Sequence, residues 1–185
     1  MRRVYCDIRK CVSCRTCEIA CVVRHSQSGE LVRALGETPR VKQLVKIKAS
    51  DLGAFPLRCH HCEEAACIDA CKTGAMHRDP ASGKVLIDRN KCVGCWMCVM
   101  VCPFGAVFAD RQSGKALKCD LCEGHDSPAC VAACPTKVLC YAEFDEFQEK
   151  MQRPAGFASS RGHPRRAKVK ARTAPAKKKG APCVI

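Results

Sequence analysis

Short apolar stretches interrupted by turn signals organise the middle of the chain. Ala75–Arg78 and Lys84–Asp88 flank Asp79-Pro80-Ala81-Ser82-Gly83, and Val107–Ala109 and Ala116–Lys118 flank Asp110–Gly114. Clusters of Gly, Pro, Asp and Ser favour chain reversal, so the pattern predicts two β-hairpins. Val41–Lys48 predicts a longer strand. Phe144, Phe147 and Met151 recur at helical spacing within a helix expected over Tyr141–Gln152, which should pack on the body rather than carry chemistry. One run stands apart, because Cys92–Ala109 holds no charged residue over 18 positions, near the lower limit for a membrane span. The four cysteines, two glycines and Pro103 inside it favour a metal-binding segment instead.

Composition then changes the picture. Nineteen of 185 residues are cysteine, and they swell an apolar share of 47% that includes only nine aromatic residues. Such a chain is too cysteine-rich for an ordinary globular domain and too long for a disulfide mini-scaffold. Its core is modest for its length, so something covalent or metallic must staple the body. No period matches collagen, a coiled coil or a long-repeat solenoid. The start, Met1-Arg2-Arg3-Val4-Tyr5-Cys6-Asp7, has two arginines with no apolar run behind them, which argues against a secretory or twin-arginine signal. We therefore expect a cytoplasmic chain. In a reducing compartment, patterned cysteines bind metal or do catalysis more often than they form disulfides.

Sixteen of the cysteines fall into four groups of four. Group one is Cys11-x2-Cys14-x2-Cys17-x3-Cys21, and group three is Cys92-x2-Cys95-x2-Cys98-x3-Cys102 with Pro103 after it; both carry the bacterial ferredoxin spacing. Group two, Cys59-x2-Cys62-x4-Cys67-x3-Cys71, and group four, Cys119-x2-Cys122-x7-Cys130-x3-Cys134 with Pro135 after it, keep that frame with a longer second gap. Three thiolates from one short loop wrap three iron corners of a cubane, while the fourth, at the start of a helical turn, points away to another cluster. Two runs that exchange their last cysteines make one two-cluster unit, and four runs make two. Ser13, Gly94 and Ala133 are small enough beside the ligands to let backbone N–H groups approach inorganic sulfide. Four zinc sites would use the same 16 cysteines, but zinc sites come as separated C-x2-4-C pairs and fit this spacing poorly.

The segments CVSCRTCEIAC, CHHCEEAACIDACKTGA, CVGCWMCVMVCPFGAV and CDLCEGHDSPACVAACPTKVL resemble the cysteine groups of the four-cluster ferredoxin-like electron-transfer subunits. That family includes the iron–sulfur subunits of dimethyl sulfoxide reductase-type enzymes, the partner of carbon monoxide dehydrogenase, formate hydrogenlyase components and the small subunit of tungsten aldehyde oxidoreductase complexes. The resemblance runs from residue 3 to residue 142. It implies an α+β fold of tandem bacterial-ferredoxin-like units with short β-hairpins and short helices, holding four [4Fe–4S] clusters. It also implies that group one pairs with group four and group two with group three. The ligands so implied are Cys11, Cys14, Cys17 and Cys134 for cluster 1, and Cys119, Cys122, Cys130 and Cys21 for cluster 2. Cluster 3 takes Cys59, Cys62, Cys67 and Cys102; cluster 4 takes Cys92, Cys95, Cys98 and Cys71. The short chain, the want of an expected membrane span or export signal and the seven-residue gap of group four favour the soluble branch. Glu18 through His25, Ser26, Leu31 and Pro39 to Val41 resembles the carbon monoxide dehydrogenase and aldehyde oxidoreductase partners about equally.

Charge separates a body, 1–149, from a tail, 150–185. The tail holds 11 basic and no acidic residues; the body holds 21 basic and 18 acidic ones, so nearly all of the net +14 lies in the tail. Four oxidised clusters at about −2 each, a formal count from their thiolate ligands, make the loaded body negative, which disfavours nucleic acid as a partner. Pro154, Pro164, Pro175 and Pro182 among Ala, Lys and Arg predict an extension without a fold of its own, either solvated or docked on an acidic partner or on the chain's own acidic body, with nucleic acid or an anionic membrane the least favoured. Cys183 is followed by two residues where a prenyl box needs three. Cys6 and Cys140 are expected to pack beside groups one and four. His60 and His61 either donate to a cluster or face solvent, and Trp96 is expected to shield one from water.

No nucleophile–base pair, phosphate loop or dinucleotide fingerprint is present. Ligation of every iron by cysteine leaves no open position for substrate, so the expected role is a redox relay and not an enzyme. Single electrons would pass between a catalytic subunit, such as a tungsten, molybdenum or nickel enzyme, and a second partner, such as a flavin subunit or hydrogenase. Association of several copies into a longer wire is left open. The rival reading is a non-redox assembly protein whose clusters are structural and whose basic tail does the binding.

Overall fold

Local turn chemistry builds the central hairpins. The computed structural model describes residues 1–50 and 53–152. In it Asp79 accepts from the backbone N–H of Ser82 at 2.9 Å, and Asp110 accepts from Gln112 N–H at 3.1 Å and from the Ser113 hydroxyl at 2.5 Å. Each aspartate thus closes its own turn, as such residues do where the chain reverses. The described elements are β1 (Arg3–Cys6), a 3-10 turn (Ile8–Lys10), α1 (Thr16–His25), α2 (Leu31–Gly36), β2 (Lys46–Ser50), β3 (Gly53–Leu57), α3 (Ala66–Asp69), β4 (Met76–Arg78), β5 (Val85–Ile87), α4 (Met97–Val101), β6 (Val107–Asp110), β7 (Lys115–Lys118), α5 (Ala129–Ala132), β8 (Leu139–Ala142) and α6 (Phe144–Gln152). Among them no helix is long and apolar enough to cross a membrane. Cys183 and the expected tail from residue 153 onward lie outside the described residues.

The strands form four two-stranded antiparallel sheets, β1·β8, β2·β3, β4·β5 and β6·β7. The two predicted hairpins are the third and fourth of these. The first sheet was not legible, because it joins the two ends of the described body, with Arg3 opposite Ala142 and Cys6 opposite Leu139. Two further expectations need correction. The strand expected over Val41–Lys48 begins only at Lys46, because Leu44 and Val45 turn into the core, 7% and 2% exposed. The helix expected from Tyr141 begins at Phe144, because Tyr141 and Ala142 are spent on pairing with β1. Phe144 and Phe147 then pack on Tyr5 of β1, the latter stacked at 4.8 Å, so α6 does sit on the body.

Two cores result. One gathers Val4, Leu44, Val45, Leu121, Val138 and Leu139 around Cys17, Cys21, Cys130 and Cys134. The other gathers Ala65, Met76, Val85, Val107 and Ala116 around Cys98, with Cys67, Cys71, Cys92 and Cys102 against it. Helices follow the same division, α1 packing on α5 and α3 on α4. Group one therefore shares a core with group four, and group two with group three. The small, mixed helix-and-strand architecture agrees with the α+β expectation.

Gly94 couples a cysteine loop to the β6–β7 hairpin. Its φ is +71°, and a Cβ there would meet the Gly114 carbonyl oxygen at 2.1 Å. Gly124, at φ +79°, has open space around it. Replacing Gly124 with alanine should cost about 1 kcal/mol of left-handed strain. Gly94→Ala adds a backbone collision and should cost at least about 2 kcal/mol, a fall of about 4–8 °C in the unfolding midpoint of a chain this size. Equal losses in thermal melts of the two variants would show that the β6–β7 turn yields freely.

Candidate metal centres

The cysteine loops share an unusual backbone. The residue before the second cysteine has positive φ in all four groups: Ser13 at 57°, His61 at 50°, Gly94 at 71° and Leu121 at 60°. In groups one and three the residue after it does too, Arg15 at 59° and Trp96 at 61°. For non-glycine residues this conformation costs about 1 kcal/mol or more each. What it achieves is to turn neighbouring N–H groups toward a common point, a concavity that binds anions. Backbone N–H groups in and around these loops already reach cysteine sulfur. His61 N–H lies 3.4 Å from Cys59 Sγ, Leu121 N–H 3.4 Å from Cys119, Ala129 N–H 3.4 Å from Cys122, Leu44 N–H 3.2 Å from Cys21, Met76 N–H 3.3 Å from Cys71 and Ala106 N–H 3.4 Å from Cys102. N–H donors on sulfur favour the thiolate that a metal needs.

Two cavities are lined by cysteines from different groups. Cys11, Cys14 and Cys17 meet Cys134 around one, together with Ile47, Pro56, Val138 and Leu139. Cys92, Cys95 and Cys98 meet Cys71 around the other, together with Met76, Ile87 and Trp96. Each cavity thus brings three cysteines of one group to the last cysteine of another. The remaining cysteines feel one another across groups, Cys130 also feeling Cys17 and Cys98 also feeling Cys67. Cys62 and Cys67 each feel Cys59 and Cys102, while Cys130 feels Cys122 and Cys21. Burial pushes Cys119 and Cys130 up to about 12, and Cys17 and Cys98 up to about 11, so metal must displace protons to bind there.

Exposure divides the loops into two kinds. Cys14 and Cys95, at the tips of groups one and three, are exposed, whereas Cys59, Cys122 and Cys130 are buried. His61 is 1% exposed and burial holds its imidazole neutral, near 3. Val85 N–H donates to its Nδ1 at 3.1 Å, so Nε2 carries the proton, buried and without a partner. His60 is exposed and tilts against Phe104 with ring centres 4.3 Å apart. Trp96 is half-buried and lines its cavity as a shield would. Cys6 packs against the first core, where burial raises it to about 11, and Cys140 is half-buried under the Lys150 ammonium at 3.2 Å. His25, beside Cys21, is held charged, near 11, chiefly by Asp120 at 3.1 Å.

Two residues near these loops escaped the reading of the sequence. Arg58 and Lys118 are 4% and 5% exposed, although charge patterning assigns such residues to the surface. A signal was present, since Lys10, Arg58, Lys91 and Lys118 each directly precede the first cysteine of a group.

Comparison with known proteins agrees with this geometry. Residues 50–144 match the family model described as a 4Fe-4S dicluster domain. The chain is 36% identical to an "Iron-sulfur protein" of Rhodospirillum rubrum over 86% of its own length and 92% of the relative's. It is 36% identical to "Electron transport protein HydN" of Escherichia coli (strain K12), covering 80% and 91% of the two chains. It is 34% identical to "Thiosulfate reductase electron transfer subunit PhsB" of Salmonella typhi, covering 76% and 74%. With cysteine loops shaped to hold anions and a matched model over half its length, the chain belongs to the 4Fe-4S dicluster family.

Proposed function

We propose that this chain is an electron-transfer subunit that relays single electrons through four [4Fe–4S] clusters, and is not itself a catalyst. The observation that carries the reading is the pair of cavities in which three cysteines of one group meet the last cysteine of another. The proposed ligands are Cys11, Cys14, Cys17 and Cys134 for cluster 1; Cys119, Cys122, Cys130 and Cys21 for cluster 2; Cys59, Cys62, Cys67 and Cys102 for cluster 3; and Cys92, Cys95, Cys98 and Cys71 for cluster 4. Groups one and four then form one dicluster unit and groups two and three the other, within a body over 1–149. When bound, such clusters accept and release one electron each while staying in place.

The chain's own residues do the rest. The left-handed loops present N–H donors to sulfide and thiolate, and the two cores keep water away, both of which tune potential. The unpartnered donors Arg58 Nε–H and His61 Nε2–H flank Cys59, and inorganic sulfide would give them an acceptor. Exposed Cys14 and Cys95 make clusters 1 and 4 the ports at which partners exchange electrons, with clusters 2 and 3 between them. The relatives named as electron transport and electron transfer proteins support a partner that is a catalytic oxidoreductase subunit. A tungsten, molybdenum or nickel enzyme on one side, and a flavin subunit or hydrogenase on the other, fit the low-potential chemistry of all-cysteine cubanes.

Anaerobically purified protein should contain about 16 irons and as much acid-labile sulfide per chain. Its reduced clusters should couple magnetically in low-temperature EPR; about four zincs with no redox response would sink the relay. Cys21→Ser should damage the cluster held by Cys119, Cys122 and Cys130 more than the one held by Cys11, Cys14 and Cys17, as read by EPR of the remaining signals. Damage confined to the latter would mean that the last cysteines are not exchanged.

A further inference from the structure

Two cations lie where the fold leaves no water to solvate them. Arg58 and Lys118 are 4% and 5% exposed, and each directly precedes the first cysteine of its group. Lys10 and Lys91 hold the same place before groups one and three, yet their side chains are 61% and 65% exposed and each has a carboxylate, Asp7 at 3.3 Å and Asp88 at 3.8 Å. Among the described residues no carboxylate forms an ion pair with Arg58 or Lys118. Lys118 Nζ donates to the carbonyl oxygens of Val85 and, at 2.8 Å, Cys119. Among the described residues Arg58 reaches only its neighbour's carbonyl, Cys59 O, at 3.5 Å, and its buried Nε–H has no partner there.

A buried cation with no counter-charge is too costly to keep unless something anionic sits beside it. The charges that bear on Arg58 are thiols: first Cys119 and Cys130 of group four, then Cys6, which lies outside the groups, and Cys59 of group two. Lys118 bears on Cys67 and His61, and its ammonium sits on the carbonyl of Cys119. Both cations thus face group two and group four together.

We propose that Arg58 and Lys118 are the buried counter-ions of the two inner clusters, those of Cys59, Cys62, Cys67 and Cys102 and of Cys119, Cys122, Cys130 and Cys21, and that they raise the reduction potentials of both. The proposal rests on the four-cluster reading. Reduction of an inner cluster adds one electron and one unit of negative charge, and no bond forms or breaks. A fixed positive charge in a medium of low dielectric favours that reduced state more than the oxidised one. The outer groups, whose cations are solvated and already paired, receive no such bias. Arg58 and Lys118 are positioning residues for the charge of the path rather than ligands.

The test is an EPR-monitored redox titration of the full, anaerobically purified chain. Wild type, Arg58→Met, Arg58→Lys, Lys118→Met and Lys118→Arg are compared, each with its iron and sulfide content. Redox-inactive wild type would be a failure of the relay reading itself. Given a redox-active wild type, each methionine variant should lower the midpoints of the inner pair by at least about tenfold in the reduction equilibrium, about 59 mV for one electron. The charge-keeping variants should leave those midpoints near wild type. Unchanged midpoints in either methionine variant at full iron content would overturn the proposal. If a methionine variant does not load iron, its charge-keeping counterpart decides. Full iron there supports the counter-ion role, and loss of iron there as well reduces the residue to packing and overturns it.

Discussion

The crowding of cysteine thiols is the constraint that the remaining structure answers. Burial pushes Cys119 and Cys130 up to about 12, so the thiolate form is unfavourable in the very places where the fold concentrates it. Three answers are built in. Left-handed residues such as His61 and Leu121 aim backbone dipoles at sulfur, at the expense of local strain. Cations approach from directly ahead of each group. An iron–sulfur core supplies the third, since a metal holds its sulfur ligands deprotonated. The 3-10 turn, the short helices and the two-residue gaps between cysteines all serve to bring these groups within reach of one another.

Much of this was legible from residue order alone. The cysteine groups, the hairpins around Asp79–Gly83 and Asp110–Gly114 and the helix near Phe144 depend on neighbours within a few residues, where turn chemistry and periodicity operate. What was not legible depends on distant partners. Sheet β1·β8 joins residues about 140 positions apart, and nothing in either four-residue strand names the other. Tyr141 and Ala142 fit the helical pattern and still belong to a strand, because tertiary pairing overrides local preference. Leu44 and Val45 fit a strand and instead enter the core beside Cys21.

Charge was the other blind spot. A basic residue before each group is visible in the sequence, but whether it is solvated, as Lys10 and Lys91 are, or enclosed, as Arg58 and Lys118 are, depends on what the fold lays over it. The same internal repeat therefore yields two kinds of loop. In groups one and three the tip cysteines, Cys14 and Cys95, reach the surface; in groups two and four the corresponding Cys62 is half-buried and Cys122 buried, and His61 and Leu121 just before them are among the most buried side chains of the body. Divergence between repeats is expressed less in the spacing of the cysteines than in the depth at which each loop is placed.

The pairing of β1 with β8 also imposes an order of birth. The core around Met76, Val85, Val107 and Ala116 draws on residues 65–116 and has all of its chain once the middle of the protein has left the ribosome. The core that begins at Val4 must wait for Val138 and Leu139. The first cysteines to be synthesised are thus among the last to be enclosed, and they spend most of translation as an open, thiol-bearing arm. Until those late residues arrive, the early thiols stay open to metal and oxidant alike.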